Sequence, residues 1–209
     1  MLKVRDLGTT DYRETWQRMQ SFTAARDHAT PDELWLTEHL PVFTLGQTAN
    51  HSHFLLDTTI PIVESDRGGQ VTYHGPGQIV GYALVDLKRA KISVHDFVCL
   101  LEQSMIDTLD SFGVVAERMP GNPGVYTAGR KIGALGLRVR RSCTYHGISL
   151  NVAMDLKPFN VIEPCGIPGM TVTQLSDLVP NVVFDDAKLI FEETFKTLCS
   201  ARVTALGAT

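Results

Sequence analysis

Two of the four cysteines lie in sequence contexts that could support a nucleophilic thiol. Cys143 follows Arg140-Arg141-Ser142, and neighbouring cations lower the pKa of a thiol. Cys165 lies in a segment rich in proline and glycine, residues 163–169, and such a loop can hold a side chain at the rim of a pocket. These patterns favour Cys165 as a nucleophile and leave Cys143 as the alternative.

A cysteine nucleophile needs a group that accepts its proton or stabilises the thiolate. His74 and His146 each precede a glycine, and histidine is the common choice for this task. Lys131 lies between Gly129 and Gly133 on an otherwise apolar run. Its side chain could turn inward, where desolvation disfavours the charged amine. A solvated lysine in a hairpin is the alternative interpretation.

The segment 67–78, RGGQVTYHGPGQ, has the composition of a pocket wall. Its glycine pair lets the backbone approach a ligand closely, because no Cβ stands in the way. The residues that follow, up to His74, are predicted to form a strand because they are rich in β-branched and aromatic types. Alternation along that strand gives a polar face and an opposite face: Gln70, Thr72 and His74 against Val71 and Tyr73. An ordinary glycine-rich hairpin is the alternative.

Other kinds of site are disfavoured. The cysteines form no C-x-x-C pair, so neither a zinc site nor a disulfide framework is expected. His51 and His53 alternate in an extended stretch, but a solvated loop is predicted there because no further metal ligands lie nearby. The run ending in Lys131 lacks the Ser or Thr of a phosphate-binding loop. No recognition helix or aromatic stacking set indicates nucleic acid.

Length and composition indicate a globular protein. With 209 residues, 44% hydrophobic and 20% charged, it suits a single domain over 1–209. No apolar run is long enough to cross a bilayer, and the N-terminal residues lack the apolar core of a signal peptide. We therefore expect a cytoplasmic protein without a membrane partner.

Helix caps and hydrophobic periodicity predict the elements that position the candidate residues. Asp11 and Ser93 are predicted to start helices, and an apolar stripe from Val94 to Phe112 follows the second of them. A third helix is predicted from about Asp185. The predicted strands comprise 34–36, 41–45 and several between 114 and 154, with the sharpest break at 121–124.

The segment between Glu117 and Asp155 contains no carboxylate. It carries six cations, which predict a local basic surface that would steer an acidic partner: Arg118, Arg130, Lys131, Arg138, Arg140 and Arg141.

Four segments together resemble one family. They are RGGQVTYHGPGQ at 67–78, GRKIGALG at 129–136, YHGISLNV at 145–152 and PCG at 164–166. In this order they closely resemble the octanoyl-ACP:protein N-octanoyltransferases, also called lipoyl(octanoyl) transferases or lipoate–protein ligase B. The resemblance runs through nearly the whole chain, and the ordered set is far more specific than one glycine motif.

The resemblance implies roles for individual residues. Cys165 matches the acyl-thioester nucleophile, and Lys131 matches the lysine that lowers the pKa of that thiol and deprotonates the incoming amine. His146 is a possible orienting residue. The segments implied to line the acyl pocket are Arg67, Gly68, Gly69, Gln70, Val71, Thr72, Tyr73 and His74, then Ala134, Leu135 and Gly136, then Gly147, Ile148 and Ser149. Ser149 stands where relatives often carry alanine, and both residues are small.

The resemblance also implies an α+β fold, with a mixed or antiparallel sheet flanked by helices as in the catalytic domain of lipoate and biotin protein ligases. It implies transfer of an octanoyl or lipoyl group from acyl carrier protein to a lysine of lipoyl domains, in 2-oxoacid dehydrogenases and the glycine cleavage H protein. No cofactor or metal is implied. The alternatives are an ATP-dependent lipoate or biotin ligase of the same fold, a cysteine thioesterase, and a non-catalytic module that binds carrier proteins.

Overall fold

The computed structural model describes residues 2–49, 56–163 and 170–207, with the backbone alone over 202–207. The elements in this part of the chain are β1 (Lys3–Thr10), α1 (Tyr12–Ala25), β2 (Glu33–His39), β3 (Val42–Leu45), β4 (Ile62–Glu64), β5 (Val71–His74), β6 (Gln78–Leu84), α2 (Val94–Asp110), β7 (Glu117–Met119), β8 (Asn122–Thr127), β9 (Arg130–Arg140), β10 (Cys143–Asn151) and α3 (Phe184–Gly207). Short 3₁₀ turns lie at Lys157–Val161 and Leu175–Asp177.

Two sheets organise the fold. Seven strands form a mixed sheet in the order β1-β2-β6-β10-β9-β8-β7, and three form a smaller sheet in the order β4-β3-β5. Within the large sheet β1 and β2 run parallel, and the other pairs are antiparallel. These sheets with flanking helices confirm the predicted α+β class.

Both helices predicted from their caps are present. The Asp11 carboxylate accepts a hydrogen bond from the Glu14 backbone N–H at 3.0 Å. The Ser93 hydroxyl accepts one from the Asp96 backbone N–H at 3.0 Å. Each side chain thereby satisfies a backbone donor that has no partner inside the helix.

Helices cover the large sheet on both faces, which buries its central strands. On one face the apolar stripe of α2 packs with α3 against the sheet through residues that include Leu101, Met105 and Phe191. On the other face Met19 of α1 packs against Trp35 and Tyr82. All seven residues of β6 are consequently buried. No helix in the described ranges is long and apolar enough to span a bilayer.

The predicted break at 121–124 is wrong in its extent. The turn occupies only Pro120 and Gly121, and β8 begins at Asn122. The register between β7 and β8 shifts here, so that Met119 pairs with Asn122. The bulge accommodates Pro123, because a residue at this position need not donate a hydrogen bond to the ladder.

Candidate active site

A cavity of about 530 Å³ lies beside β9. The loop preceding β5 and the first turns of α2 close its sides. Every predicted site residue that the structure describes lines this cavity except Tyr73: Lys131, Arg67, Gly68, Gly69, Gln70, Val71, Thr72, His74, Ala134, Leu135, Gly136, His146, Gly147, Ile148 and Ser149. Segments far apart in the sequence therefore line one cavity.

Tyr73 lies on the other face of β5, where it packs with Phe43 and Phe159 at ring-centroid separations of 5.4 and 5.6 Å. The alternation of side chains along the strand produces this orientation. Tyr73 therefore supports the wall of the cavity from behind and does not line it.

Arg67 holds the glycine loop in place. Its buried guanidinium donates to the Thr44 hydroxyl at 2.9 Å, to the Thr44 carbonyl at 2.6 Å and to the Gln70 carbonyl at 2.6 Å. The Gly68 N–H donates to the Leu137 carbonyl at 3.0 Å, which ties the loop to β9. A Cβ at Gly136 would lie 2.7 Å from the Gly68 carbonyl oxygen, so this close approach requires glycine.

Buried aromatic and imidazole rings form one end of the cavity. The His74 ring stacks on Tyr12 at 5.9 Å and meets His39 edge-on at 5.8 Å. His74 Nδ1 lies 2.7 Å from the Gln78 side-chain oxygen, and His39 Nε2 lies 2.6 Å from the Tyr82 hydroxyl. Burial lowers the pKa of His74 to about 3 and that of His39 to about 4. Both imidazoles are therefore neutral at physiological pH.

A carboxylate that sequence reasoning missed holds His146. Asp66 lies 2.8 Å from His146 Nε2, and it also accepts hydrogen bonds from the Tyr145 hydroxyl and from Trp16 Nε1 at 2.7 Å. Burial alone would raise the pKa of Asp66, but hydrogen bonds from His146, Tyr145 and Trp16 outweigh it and hold the pKa well below its usual range. An ionised Asp66 requires the proton of the neutral imidazole to sit on Nε2.

His146 itself adopts an unusual backbone conformation. Its φ of +61° lies in the left-handed region, which costs a residue with a Cβ on the order of 1 kcal/mol. The side chain is 1% exposed, and its Nδ1 has no hydrogen-bond partner among the described residues. The Asp66 contact holds the ring in the lining of the cavity.

Lys131 is turned inward. Its side chain is 4% exposed, its ammonium donates to the Pro123 carbonyl at 2.9 Å, and the nitrogen lies 5.3 Å from the centroid of the Tyr126 ring. A Cβ at Gly124 would lie 2.7 Å from Lys131 Cε, so this glycine makes room for the lysine. The alternative of a solvated hairpin lysine is therefore wrong.

The three cysteines that the structure describes are poor nucleophile candidates. Burial raises the pKa of the Cys143 thiol, against the prediction that nearby arginines lower it. Burial raises the pKa of Cys199 to about 12. The Cys99 sulfur lies 3.8 Å from His95 Nε2 on α2, and neither residue lines the cavity. Cys165 lies outside the described residues, as do His51 and His53.

The chain next to Cys165 in sequence is anchored at Lys131. The Lys131 N–H donates to the Thr171 carbonyl, and the Lys131 carbonyl accepts from the Thr173 N–H, both at 2.9 Å. Lys131 and Val172 thus form a parallel bridge. The segment that begins six positions after Cys165 (171 − 165) is consequently fixed to the strand that carries the lysine.

Lys131 and His146 lie at opposite ends of the cavity. His146 pairs with Leu137 across β9 and β10. Leu137 is six residues along the strand from Lys131 (137 − 131), which corresponds to roughly 20 Å at about 3.3 Å per residue. His146 and Gly147 are thus remote from Lys131 along the strand.

The predicted basic surface is smaller than six cations. Lys131 is buried, Arg118 pairs with Glu102 at 3.0 Å, and Arg141 donates to the Ala24 carbonyl at 2.7 Å. Arg118 and Arg141 nevertheless remain exposed to solvent, so the surface loses the charge of Lys131 and has the charge of Arg118 offset by a carboxylate. In the ranges described, no three His, Cys, Asp or Glu side chains group as ligands for a metal ion.

The neutral imidazoles predict a loss of stability at acid pH. A histidine with a pKa lowered in the folded state contributes stability above its unfolded pKa of about 6.5, and this is lost as pH falls toward the folded value. With His39 at about 4 and His74 at about 3, we expect the free energy of unfolding to fall by at least about 3 kcal/mol between pH 7 and pH 4.5.

Urea unfolding followed across that range measures this effect. Carboxylates titrate mainly at and below the acid end of this window, so histidines dominate most of it. The variant His74→Gln should give a shallower dependence than the wild type, by about one proton. A free energy of unfolding that stays constant from pH 7 to pH 4.5 would contradict the burial of neutral imidazoles.

Comparison with known proteins identifies the family of the chain. Residues 11–196 match the family described as the lipoyl protein ligase A/B catalytic domain. The chain belongs to this family.

Closer relatives identify the branch. The octanoyltransferase of Xanthomonas axonopodis pv. citri is 58% identical over 176 residues, which are 84% of this chain and 76% of the relative. That of Dechloromonas aromatica is 57% identical over 174 residues, 83% of this chain and 85% of the relative. These relatives confirm both the resemblance that the four segments carried and the prediction of a transferase enzyme.

Solved structures share the fold at low identity. The bipartite lipoate protein ligase of Thermoplasma acidophilum superimposes with a TM-score of 0.76 at 14% identity, covering 99% of this chain and 92% of that one. A biotin protein ligase from Aquifex aeolicus, in complex with biotin and ATP, gives 0.60 at 11% identity, covering 95% and 70%. The predicted likeness to lipoate and biotin ligase catalytic domains is confirmed.

Proposed function

We propose that this enzyme moves an octanoyl group from acyl carrier protein to a lysine of a lipoyl domain, through a thioester on Cys165. The names of the relatives and the four family segments support the acyl group and the reaction class. The observation that carries the proposal is Lys131, a buried amine at one end of a cavity, on a strand bonded to the segment that follows Cys165.

The first half-reaction forms the acyl-enzyme. Lys131 stabilises the Cys165 thiolate by holding its proton as an ammonium. The thiolate attacks the thioester carbonyl of octanoyl-acyl carrier protein. A new carbon–sulfur bond forms to Cys165 as the bond to the carrier thiol breaks, and the departing thiolate takes the proton from Lys131. One thioester replaces another, so no energy source is required.

The second half-reaction forms the amide. The uncharged ε-amine of the acceptor lysine attacks the Cys165 thioester, and the carbon–nitrogen bond forms as the carbon–sulfur bond breaks. Lys131 accepts the excess proton of the amine, which regenerates the thiolate beside an ammonium. Because amide formation from a thioester is downhill, this step also needs no ATP.

The cavity can accommodate the acyl chain along β9. Small and apolar residues line the middle of its length, including Ala134, Leu135 and Ile148. Gly136 and Gly147 lie opposite each other on β9 and β10, and both line this part of the cavity. Two residues of α2, Val94 and Val98, line the other side. This arrangement favours an extended hydrocarbon chain over a charged ligand.

The partners follow from the same proposal. The donor is acyl carrier protein, and the acceptors are lipoyl domains of 2-oxoacid dehydrogenases and the glycine cleavage H protein. Arg140, exposed at the end of β9, is available to an acidic carrier. A single catalytic domain over residues 1–209, acting in the cytoplasm, belongs to the same proposal.

The rival is an ATP-dependent ligase, since such enzymes share the fold. The two are separated by presenting a lipoyl domain with octanoyl-acyl carrier protein alone, or with octanoate and ATP. We expect modification of the acceptor lysine with the thioester donor and none with octanoate and ATP.

Mass spectrometry of the lipoyl domain detects modification of the acceptor lysine in both incubations. ATP-dependent modification that survives Cys165→Ala would contradict the proposal in favour of a ligase. Free octanoate as the main product, with an unmodified acceptor, would indicate a thioesterase. The variant Cys99→Ser serves as a control, because Cys99 does not line the cavity.

A further inference from the structure

One peptide group of β8 connects the buried lysine to a buried carboxylate. The Lys131 ammonium donates to the Pro123 carbonyl at 2.9 Å. The next backbone N–H, that of Gly124, donates to Glu102 Oε1 at 3.0 Å. The Pro123 carbonyl and the Gly124 N–H belong to the same peptide group, so the lysine and the carboxylate bind its opposite ends.

We propose that Glu102 is a positioning residue for Lys131, acting through the Pro123–Gly124 peptide. A carboxylate that accepts from the N–H end polarises the peptide and makes its carbonyl a stronger acceptor for an ammonium. Glu102 thereby fixes the place of the lysine amine. This inference rests on the proposed role of Lys131 as the proton-carrying group.

Burial and further contacts hold Glu102 in place. Its side chain is buried, at 6% exposure, although carboxylates are seldom found there without partners. Its second oxygen accepts from Arg118 Nε at 3.0 Å. Arg118 is fixed in turn by donating to the Cys99 carbonyl and to the Gln103 side chain, both at 2.9 Å. The charged and titratable groups identified around the peptide are thus Glu102 on α2, Arg118 on β7, Tyr126 on β8 and Lys131 on β9.

The β-bulge explains why this peptide is available. The register shift between β7 and β8 leaves the peptide outside the regular ladder. Gly124 has a φ of +133°, and its missing Cβ leaves space for the lysine nitrogen, which would otherwise lie 3.0 Å away. The proline and glycine here therefore shape the contact between the lysine and the carboxylate.

If the influence of Glu102 is electrostatic, two substitutions should shift the pH at which the Lys131 amine becomes reactive, in opposite directions. Glu102→Gln keeps the length of the side chain and removes its charge, so the Lys131 amine should become reactive at a lower pH. Arg118→Met removes the cation that offsets Glu102, so the amine should become reactive at a higher pH. We expect the two shifts to be opposite in sign because the two substitutions remove charges of opposite sign.

Trace labelling with acetic anhydride across a pH series, followed by peptide mass spectrometry, measures the reactivity of Lys131, since only the uncharged amine reacts. Glu117→Gln is the matched control, because it removes an exposed carboxylate on β7 beside Arg118 and should leave Lys131 unchanged. Glu102→Gln should also lower kcat about tenfold with little change in KM.

Shifts of the same sign in both variants, or no shift in either, would overturn the inference and make Glu102 a purely structural residue. If Glu102→Gln fails to fold, Arg118→Met alone decides, because an upward shift is required. Labelling measures the reactivity of the Lys131 amine in the absence of octanoyl-acyl carrier protein. A failure here is therefore distinguishable from a failure of the proposed octanoyl transfer.

Discussion

Replacing Cys165 with serine is expected to abolish octanoyl transfer, with a fall in kcat of roughly 10⁴-fold or more, as for other covalent nucleophiles. A serine hydroxyl is not ionised by a neighbouring ammonium, because its pKa lies far above that of a thiol. Steady-state transfer from octanoyl-acyl carrier protein to a lipoyl domain measures the effect.

The control for this variant is the same substitution at Cys99. That residue lies on α2 away from the cavity, so Cys99→Ser should retain nearly full activity. Activity of Cys165→Ser within tenfold of the wild type would contradict a covalent intermediate on this residue.

The variant Lys131→Met is expected to lower kcat by about 10²- to 10⁴-fold, the range typical of a lost acid–base group. Methionine retains most of the length and the apolar stem of lysine but neither donates to the Pro123 carbonyl nor carries a proton. The acyl cavity should be preserved, so KM for the donor should change little.

Thermal unfolding distinguishes a catalytic effect from misfolding. Lys157→Met is the matched control, since Lys157 is exposed in a 3₁₀ turn and its variant should remain fully active. A Lys131→Met enzyme that folds and retains wild-type kcat would remove the lysine from the mechanism.

Local sequence rules predicted the parts of this fold that depend on neighbouring residues. The caps at Asp11 and Ser93 identify the helix starts, because each side chain satisfies a donor three residues away. The apolar run around Lys131 allowed an inward side chain, but the glycine that makes room for it is Gly124 on the neighbouring strand β8. The resemblance named the segments 67–74, 134–136 and 147–149, and these line one cavity with Tyr73 as the exception.

Features that depend on distant parts of the chain could not be predicted. Val94 and Val98 belong to an apolar stripe that suggested core packing, yet both line the cavity. Asp66 had no motif, since its partners Trp16, Tyr145 and His146 lie 50 to 80 residues away. Cys143 gained its raised pKa from burial, which adjacent arginines do not reveal.

The role of Glu102 illustrates the same limit of local patterns. In the sequence it is one charged residue on an amphipathic helix, and its spacing gives no reason to associate it with Lys131. The pairing of β7, β8 and β9 brings the two residues to opposite ends of one peptide. Such relations require the register of the sheet.

The proposed mechanism makes Cys165 the carrier of the octanoyl group between donor and acceptor. Its most direct test is the intact mass of the protein after mixing with octanoyl-acyl carrier protein in the absence of a lipoyl domain. We expect one octanoyl adduct on the wild type, located on Cys165 by peptide mapping, discharged by adding a lipoyl domain and absent from Cys165→Ser. An unmodified wild-type protein that nevertheless transfers octanoyl, or an adduct that persists in Cys165→Ser, would contradict the account.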